Sequence, residues 1–479
     1  MAVAQAKSLD WRTVGVSQRA AFVGRLRHEI VRSRDEVVQV VRSETGKTRA
    51  EVLLSDILPT LECLRYIERN AADVLRPRKV PTPFIFFRSS SRVHYRPRGT
   101  VLVIAPWNNP FQLSLVPVAS ALGAGNAVIL KPSERTPETG RCIGRLCRRA
   151  GLKDDTLQVV PGAGDVAEGL IAARPDMIFF TGGTSNGRAA LAAAAQYLIP
   201  VVLELGGKDP MLVFADADLD RAVQAAVYGA FAHAGQHCVS VKRLYVEESI
   251  YDAFLERLAA EIRSLAATED WGRAMDDRAL AHARQQIREA IEAGARLLVP
   301  DAEDRAARTP TLVSHADRSM RLVQEETFAP VLAAIPFRDD DQAVELANES
   351  PFGLNASVWS ADLARAERVA TRLDTGNAYV NGVLVNIGNP HLPFGGVKQS
   401  GLGAYHGPEG LRVFCKQTSV MTSRSHQRAE PGWFPHGQAK ADAIDELIDL
   451  RYGERPWLGR IFGWVRLLRR LSGKGPPND

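Results

Sequence analysis

Cysteine is scarce in this sequence, with five in 479 residues and no two of them in a CxxC spacing. An odd number of scattered thiols does not make a disulfide framework, and unpaired spacings do not indicate a zinc cluster. The pattern is typical of a protein that works in a reducing compartment, and we expect no metal. The five are Cys63, Cys142, Cys147, Cys238 and Cys415.

Long apolar runs and a strong charge of one sign are also missing. No stretch of 18 apolar residues occurs, and the first 22 residues lack the apolar core of a signal peptide. We therefore expect no membrane-spanning segment and a cytoplasmic location. A formal net charge of +5 is modest for this length and does not by itself indicate a nucleic-acid partner, so none is expected.

The sequence does contain short β-branched runs separated by helical patterns, in a composition that is 45% apolar and 24% charged. The runs TVLVI, AVILK, MIFF and VVLEL precede residue 206, and PMLVF, KRLYV, ASVWS and NAYV follow it. Strands that alternate with helices indicate βαβ units and parallel sheets. The sequence therefore predicts two doubly wound α/β domains with a boundary near residue 206.

Segments outside these two series complete the predicted organisation. Helical spacing over residues 17–75 predicts two long helices, and the stretch 82–98, rich in proline and aromatic residues, predicts an extended arm or hairpin. The four predicted regions are a first domain with this arm, 1–205, a second domain, 206–390, a return segment, 391–423, and a tail, 424–479.

A glycine-rich turn is the first candidate for chemistry. In DMIFFTGGTSNGRAA an apolar strand runs through a turn into a helix. Gly182, Gly183 and Gly187 would let the backbone approach a phosphate, and a helix N-terminus favours negative charge. The spacing is GGxxxG rather than GxGxxG, so this motif alone also suits a tight turn without a ligand.

A second candidate is VILKPSE, where Lys131 ends a strand and Glu134 follows three residues later. An acid at a strand end can hold ribose hydroxyls, and a lysine beside it can hold a ribose or phosphate oxygen. The alternative is a solvated charge pair in front of a helix.

Glu204 lies between two leucines at the end of the apolar run VVLEL, where an unpaired carboxylate is costly. It follows Gly182 by about 22 residues, close to the spacing at which a Rossmann-type acid binds ribose. Burial would instead raise its pKa and make it a general base near neutral pH. Spacing alone leaves both roles open.

Cys238 stands in GAFAHAGQHCVS, a segment too rich in glycine and polar residues for a core helix. A free cysteine is more often a small buried apolar side chain than a nucleophile. His237 directly precedes it, but adjacent side chains usually point apart, so a Cys–His dyad is not favoured.

Seven motifs follow one another in a distinctive order between residues 106 and 401: PWNNP, KPSE, FTGGTSNG, LELGGK, GQHC, EETFAP and LPFGGVKQSG. In this order the sequence resembles the aldehyde dehydrogenase superfamily over roughly residues 15–420. The short N-terminus and the ending SGLGAYHG are most similar to the class 3 branch, which includes fatty-aldehyde enzymes. The resemblance implies an aldehyde dehydrogenase-like α/β fold, with two Rossmann-like parallel-sheet domains and a β-arm for oligomerisation. The first domain would then bind NAD(P), the second would be catalytic, and 391–423 would carry an oligomerisation strand.

By this resemblance Cys238 matches the catalytic nucleophile, Glu204 the general base and Asn108 the oxyanion-stabilising amide. Asn109, Thr327 and Ala329 depart from the usual residues of their motifs, but no reacting group is missing. The resemblance implies a coenzyme site made of Lys131, Glu134, Trp107, Gly182, Gly183, Gly187, Glu326 and Phe328.

The implied reaction is the NAD(P)-dependent oxidation of an aldehyde to its carboxylic acid, through a thiohemiacetal and a thioester on Cys238 that Glu204 helps water to hydrolyse. Glu134 should repel a 2′-phosphate and so favours NAD over NADP. Residues 381–393 contain no Arg or Lys to anchor a substrate carboxylate, which favours an apolar fatty or aromatic aldehyde. The alternatives are a CoA-acylating enzyme or acyl reductase, and a non-catalytic scaffold. We expect a small-molecule aldehyde as partner and a homo-oligomer, at least a dimer.

The tail carries a basic amphipathic pattern at about 456–472, with two tryptophans among its apolar positions and four arginines mainly off that stripe. Such a helix suits the surface of an anionic membrane. Packing against this chain or a subunit partner is the alternative.

Overall fold

The computed structural model describes residues 10–453, apart from residues 87, 154, 269, 427, 429 and 431. The basic helix expected at about 456–472 lies outside the described residues, so its membrane contact stays a prediction. The described chain forms two compact units, one of residues 10–77 and 94–418 and the other of residues 78–93 and 419–453.

Three helices open the first unit, rather than the two that the spacing predicts. They are α1 (Val16–Arg32), α2 (Arg34–Thr45) and α3 (Leu58–Val74), with a short turn, Arg49–Glu51, and a π-helical segment, Val52–Ile57, before α3. Gly46 ends α2 in the left-handed conformation, with φ of 68°, which a glycine adopts without strain. The break at this residue separates two helical patterns that look continuous in sequence.

The arm is an antiparallel hairpin of β1 (Arg78–Val80) and β2 (Ser89–Pro97), with a 3₁₀ turn, Phe84–Phe86, between them. Arg78 lies opposite Val93. The hairpin therefore begins at residue 78, four residues before the predicted arm.

The first parallel sheet is built from alternating strands and helices. Its strands are β3 (Thr100–Ile104), β4 (Ala127–Lys131), β5 (Leu157–Val159), β6 (Met177–Thr181) and β7 (Val201–Glu204). The helices between them are α4 (Pro110–Gly123), α5 (Pro137–Arg149), α6 (Gly164–Ala172) and α7 (Thr184–Ala195). The spatial order β7-β6-β3-β4-β5 places a topological switch point between β3 and β6, where ligands bind in such sheets.

The second sheet has the order β10-β11-β12-β9-β8-β14-β15, and all neighbours except β10 and β11 are parallel. The strands of this region are β8 (Asp209–Val213), β9 (Val241–Glu247), β10 (Arg296–Val299), β11 (Thr311–Ser314), β12 (Val331–Phe337), β13 (Phe352–Gly353), β14 (Asn355–Trp359) and β15 (Asn377–Val380). The helices are α8 (Leu219–Phe231), α9 (Tyr251–Ala266), α10 (Asp277–Glu292), α11 (Arg321–Gln324), α12 (Asp340–Asn348) and α13 (Leu363–Ala370). Four 3₁₀ turns are Ala232–Gly235, Glu248–Ile250, Glu303–Arg305 and Val385–Gly388.

The return segment supplies strands to sheets formed earlier in the chain. Its elements are β16 (Val397–Lys398), β17 (Gly401–Leu402), α14 (Gly407–Arg412) and β18 (Cys415–Ser423), and α15 (Gln438–Tyr452) follows in the tail. Strand β16 pairs with β13, β17 pairs antiparallel with β7, and β18 is the third strand beside β1 and β2. The expected role of this segment in oligomerisation stays a prediction.

Both large sheets are buried on their two faces, as expected of parallel strands covered by helices. Strands β3, β4, β8 and β14 are buried at every residue. The prediction of two doubly wound, Rossmann-like parallel sheets is confirmed. The chain passes from one sheet to the other between β7 and β8, and the domain boundary near residue 206 stays a prediction.

Within residues 10–453, none of the helices is both long and apolar enough to cross a membrane. Nor does this described part of the chain bring together three or more His, Cys, Asp or Glu side chains that could hold a metal ion. The absence of a metal stays a prediction.

Candidate active site

A cleft of about 360 Å³ lies at the carboxyl ends of the first sheet's strands, at the switch point between β3 and β6. Every predicted site residue except Gly187 lines this cleft. They come from four strand ends of the first sheet, from the loop before β9 and from the loop before β12. The predicted residues in the lining are Trp107, Asn108, Lys131, Glu134, Gly182, Gly183, Glu204, Cys238, Glu326 and Phe328.

Gly187 instead supports the cleft from inside α7. A Cβ at this position would lie 2.4 Å from Cδ2 of Leu205, well inside van der Waals contact. Gly187 therefore lets α7 pack closely on the end of β7, which is the helix-packing role that one glycine has in dinucleotide-binding turns.

Asn108 connects the end of β3 with the loop that carries Cys238. Its side chain is buried, and Nδ2 donates a hydrogen bond of 2.9 Å to the carbonyl oxygen of Gln236. An amide nitrogen carries two hydrogens, so this bond leaves the second one for another acceptor.

The backbone before Cys238 has an uncommon conformation. His233, Ala234 and Gly235 are all left-handed, with φ of 51°, 54° and 68°. Such angles are unfavourable for residues other than glycine. Hydrogen bonds from the Ala234 N–H to the carbonyl oxygen of Trp271 (2.6 Å) and from Gln236 Nε2 to that of His233 (2.9 Å) hold the turn.

Cys238 differs from the other four cysteines, which are buried in the core and do not line the cleft. Burial, with smaller contributions from Asp209, Glu204 and Glu326, raises the pKa of the Cys238 thiol to about 12. In the protein without ligands, this sulfur is therefore a protonated thiol at neutral pH.

Glu204 ends β7 with a buried side chain, and neither carboxylate oxygen has a hydrogen-bond partner among the residues that the structure describes. Burial raises its pKa well above the usual value for a glutamate. A carboxylate with a raised pKa is a better proton acceptor near neutral pH than a solvated one.

Glu326 faces the cleft from the second sheet. A Cβ at Gly206 would stand only 1.9 Å from Oε1 of Glu326, so this carboxylate lies directly against a backbone that only glycine permits. Burial raises the pKa of Glu326 to about 7, against the opposing effect of Lys208 and Lys242. These two lysines were not predicted, although Lys208 is part of the LELGGK motif.

The two residues of the KPSE motif that are predicted to bind the coenzyme form an ion pair. Lys131 Nζ lies 3.5 Å from Glu134 Oε2, with the lysine buried and the glutamate more than half exposed. Arg135, the next residue, was also not predicted. Its guanidinium lies 5.4 Å from the ring centre of Trp107 and 3.2 Å from Oδ2 of Asp276, which lines the opposite side of the cleft.

A second cavity, of about 330 Å³, adjoins the loop that carries Cys238. His237 lines this cavity, whereas the next residue, Cys238, lines the cleft. Because the lining comes from four separate segments, no motif in the sequence indicated it. Its apolar and aromatic members are Ala50, Leu54, Val227, Tyr228, Phe231, Ala232, Leu265 and Trp271.

Comparisons with known proteins identify the family of this chain. The sequence model of the aldehyde dehydrogenase family matches residues 1–420. The 4,4′-diapolycopene aldehyde oxidase of Methylomonas sp is 44% identical over 95% of this chain and 86% of its own length. A relative from Mycolicibacterium smegmatis, whose name proposes an NADP(+) succinate-semialdehyde dehydrogenase, is 35% identical over 88% of this chain and 84% of its own.

Solved structures show the same fold. The NAD-dependent aldehyde dehydrogenase from Sinorhizobium meliloti has a TM-score of 0.83 and 33% identity over 91% of this chain and 87% of its own. Betaine aldehyde dehydrogenase from Staphylococcus aureus, in complex with NAD+, has a TM-score of 0.83 and 30% identity over 90% and 88%. The resemblance seen in the motifs is confirmed, although no comparison tests the class 3 branch. The chain is an oxidoreductase and belongs to the aldehyde dehydrogenase family.

Proposed function

We propose that this enzyme oxidises a long apolar aldehyde to its carboxylic acid, with Cys238 as nucleophile, Asn108 as oxyanion donor and Glu204 as general base. The observation that carries the proposal is the convergence of these three side chains on one cleft beside an apolar cavity. An aldehyde whose hydrocarbon chain occupies the cavity would present its carbonyl at the loop of His237 and Cys238.

The first step begins when the Cys238 thiol gives up its proton to water. The thiolate then attacks the carbonyl carbon, breaking the C=O π bond and making that carbon tetrahedral, with the negative charge on oxygen. The free hydrogen of Asn108 Nδ2 and the backbone N–H of Cys238 would stabilise the oxyanion. Loss of one donor of this kind typically costs about 3 kcal/mol of barrier. Because Asn108 is already bonded to Gln236, two residues before the nucleophile, the donor needs little reorganisation.

The second step is hydrolysis of the thioester that remains on Cys238 after oxidation. Glu204 would take a proton from water, and its raised pKa suits that role. A carboxylate without hydrogen-bond partners, in the cleft that holds the thioester, favours water over coenzyme A as the acyl acceptor. We therefore do not favour the acylating alternative.

The cleft also fits a nicotinamide coenzyme, which would supply the hydride acceptor. Helix α7 has Gly183 at its N-cap and no side-chain cap, so its N–H groups remain for a pyrophosphate. Lys131 and Glu134 would hold the adenosine ribose, and Glu326 and Phe328 would contact the nicotinamide half. The half-exposed Glu134 would repel a 2′-phosphate, so we propose NAD as the preferred coenzyme.

The substrate class is inferred from the cavity wall. Among the described residues that line the cavity, the charged ones are Glu51 and Asp270, with no Lys or Arg. These carboxylates would repel the negative charge of succinic semialdehyde. The Methylomonas relative is named as a 4,4′-diapolycopene aldehyde oxidase and not as a succinate-semialdehyde dehydrogenase.

The arm and strand β18 also support a proposal about subunit assembly. The arm and β18 form a three-stranded sheet, and we propose that this sheet joins subunits of a homo-oligomer, at least a dimer. Sedimentation velocity on the full-length chain tests this, and a monomer at all concentrations would contradict it.

The test of substrate class compares kcat/KM for hexanal, decanal, benzaldehyde, cinnamaldehyde and succinic semialdehyde, with NAD and with NADP. We expect decanal with NAD to rank far above succinic semialdehyde, and the product to be the acid. The reverse ranking would contradict the apolar substrate, and acyl-CoA formation would contradict hydrolysis.

A matched pair of variants tests the cavity. Leu54 lines it and is 59% exposed, whereas Leu58 is 52% exposed on α3 and does not line it. We expect Leu54→Asp to raise KM for decanal about ten-fold, equivalent to about 1.4 kcal/mol, and Leu58→Asp to leave it unchanged. Equal changes of KM in the two variants would show that the substrate does not occupy this cavity.

A further inference from the structure

A fully buried ion pair lies behind the cleft. Lys47 Nζ is 2.8 Å from Oδ2 of Asp56, and neither side chain is exposed. The same ammonium donates to Ser55 Oγ at 3.1 Å and to Asn109 Oδ1 at 2.5 Å. A lysine ammonium has three hydrogens and no acceptor, so all three donors of Lys47 are used.

The ion pair also contacts helix α4, through hydrogen bonds to Asp56. The other oxygen of Asp56, Oδ1, accepts from the backbone N–H groups of Phe111 (3.1 Å) and Gln112 (3.4 Å). These are the first turn of α4, which starts directly after Asn109. Asp56 thus caps α4 from another part of the chain, and the negative charge suits a helix N-terminus.

This arrangement determines the orientation of the Asn109 amide. Because Lys47 can only donate, the amide oxygen of Asn109 must face it, and the amide nitrogen must face away. Nδ2 of Asn109 lies 3.1 Å from Nδ1 of His237. An amide nitrogen can only donate, so Nδ1 of His237 must be the acceptor and carry no hydrogen.

We propose that Asn109 is a positioning residue, which holds His237 as the neutral tautomer with its hydrogen on Nε2, next to the nucleophile Cys238. The reference to a nucleophile rests on the proposed function, but the tautomer does not. The chain of contacts Asp56–Lys47–Asn109–His237 fixes the ring in place and leaves no acceptor on Asn109 Nδ2 for a hydrogen on Nδ1. Asn109 also occupies the position where the PWNNP motif departs from the residues usual in the family.

The charges around His237 agree with a neutral ring. Burial, with smaller contributions from Lys47 and Lys242, lowers the pKa of His237 to about 3. His233 lies 5.7 Å away between ring centres, and burial lowers its pKa as well. The acidic groups in the same cavity wall are Glu51 and Asp270.

The variant Asn109→Asp inverts this arrangement. A carboxylate accepts but does not donate, so Nδ1 of His237 would have to carry the hydrogen, and the new negative charge would favour the imidazolium. An imidazolium beside Cys238 lowers the thiol pKa. If His237 stayed neutral in this variant, the new carboxylate alone would raise the thiol pKa. Protonation and no protonation of His237 therefore predict shifts of the thiol pKa in opposite directions.

The experiment measures alkylation of Cys238 by iodoacetamide against pH in the full-length protein, with the modified peptide identified by mass. For Asn109→Asp we expect alkylation at pH 7 to rise about ten-fold for each unit by which the thiol pKa falls. The rise should disappear in the double variant Asn109→Asp/His237→Gln. Asn70→Asp, on α3 and away from the cleft, is the charge-matched control and should behave as wild type.

A second measurement needs no variant of Asn109. Long-range ¹⁵N–¹H NMR of protein labelled at histidine, with His237→Gln to assign the signal, should show His237 neutral and protonated on Nε2 from pH 5.5 to 8. A hydrogen on Nδ1, an imidazolium in this range, or slower alkylation in Asn109→Asp would each overturn the proposal. Neither alkylation nor NMR requires turnover. These results therefore test the tautomer of His237 independently of the proposed function, which the activity of Cys238 variants tests.

Discussion

Glu204 and Cys238 line one cleft from different sheets, and a negative charge on Glu204 would raise the pKa of the Cys238 thiol. Glu204 ends β7 of the first sheet, and Cys238 precedes β9 of the second. In the resting enzyme, burial therefore favours the protonated form of both groups. Replacing Cys238 should prevent formation of the thioester, whereas replacing Glu204 should slow only its hydrolysis.

Replacing the thiol tests the nucleophile. We expect Cys238→Ala to lower aldehyde-dependent NADH formation at least about 10³-fold, because no other group in the cleft can form the thioester. Absorbance at 340 nm measures it. Cys142→Ala removes a buried thiol outside the cleft lining and should retain activity. Substantial turnover in Cys238→Ala would refute the assignment.

Replacing the base should separate the two chemical steps. In Glu204→Gln the thioester still forms but water is no longer activated, so we expect a burst of NADH within the first turnover and a steady-state rate about 10²–10⁴-fold lower. Stopped-flow absorbance distinguishes the phases. If the burst also vanished, Glu204 would act before hydrolysis.

The same variant should change stability with a defined pH dependence. The pKa of Glu204 is raised in the folded protein, so its favourable contribution is complete below the unfolded pKa of about 4.3 and is lost as pH rises. Glu204→Gln does not titrate, so we expect it to become more stable than wild type above this pH. The gain is about 1.4 kcal/mol for each pH unit up to the folded pKa.

Thermal unfolding at pH 5.5, 7 and 8.5 measures this trend. Glu138→Gln, which removes an exposed carboxylate on α5, is the control and should show no comparable gain. A difference between Glu204→Gln and wild type that stays constant or falls with pH would show that Glu204 is not held protonated by burial.

Coenzyme choice should depend on Glu134. We expect Glu134→Gln to lower KM for NADP about ten-fold, because it removes the charge that repels the 2′-phosphate, with a smaller effect on NAD. Glu138 is similarly exposed, 53% against 56%, so Glu138→Gln is the matched control. Equal KM values for NADP in the two variants would show that Glu134 does not contact the adenosine ribose.

Most strands were predictable because each is a β-branched run bounded by turn residues. Strand β11, Thr311–Ser314, was missed, although it is as long as the predicted strands β7 and β15. The split of residues 17–75 into three helices was also missed. The break at Gly46 depends on a left-handed backbone angle, not on a change in apolar spacing.

The order of motifs along the chain was enough to predict the family, the parallel sheets and the candidate residues of the cleft. The motif order could not predict contacts between residues that are far apart in the sequence. Lys47, Asn109 and His237 are separated by 62 and 128 residues and meet only because α4 and the loop before β9 pack beside the N-terminal helices. Burial then determines the protonation of Cys238, Glu204 and His237, since the cost of a charge depends on the surrounding protein and not on neighbouring sequence.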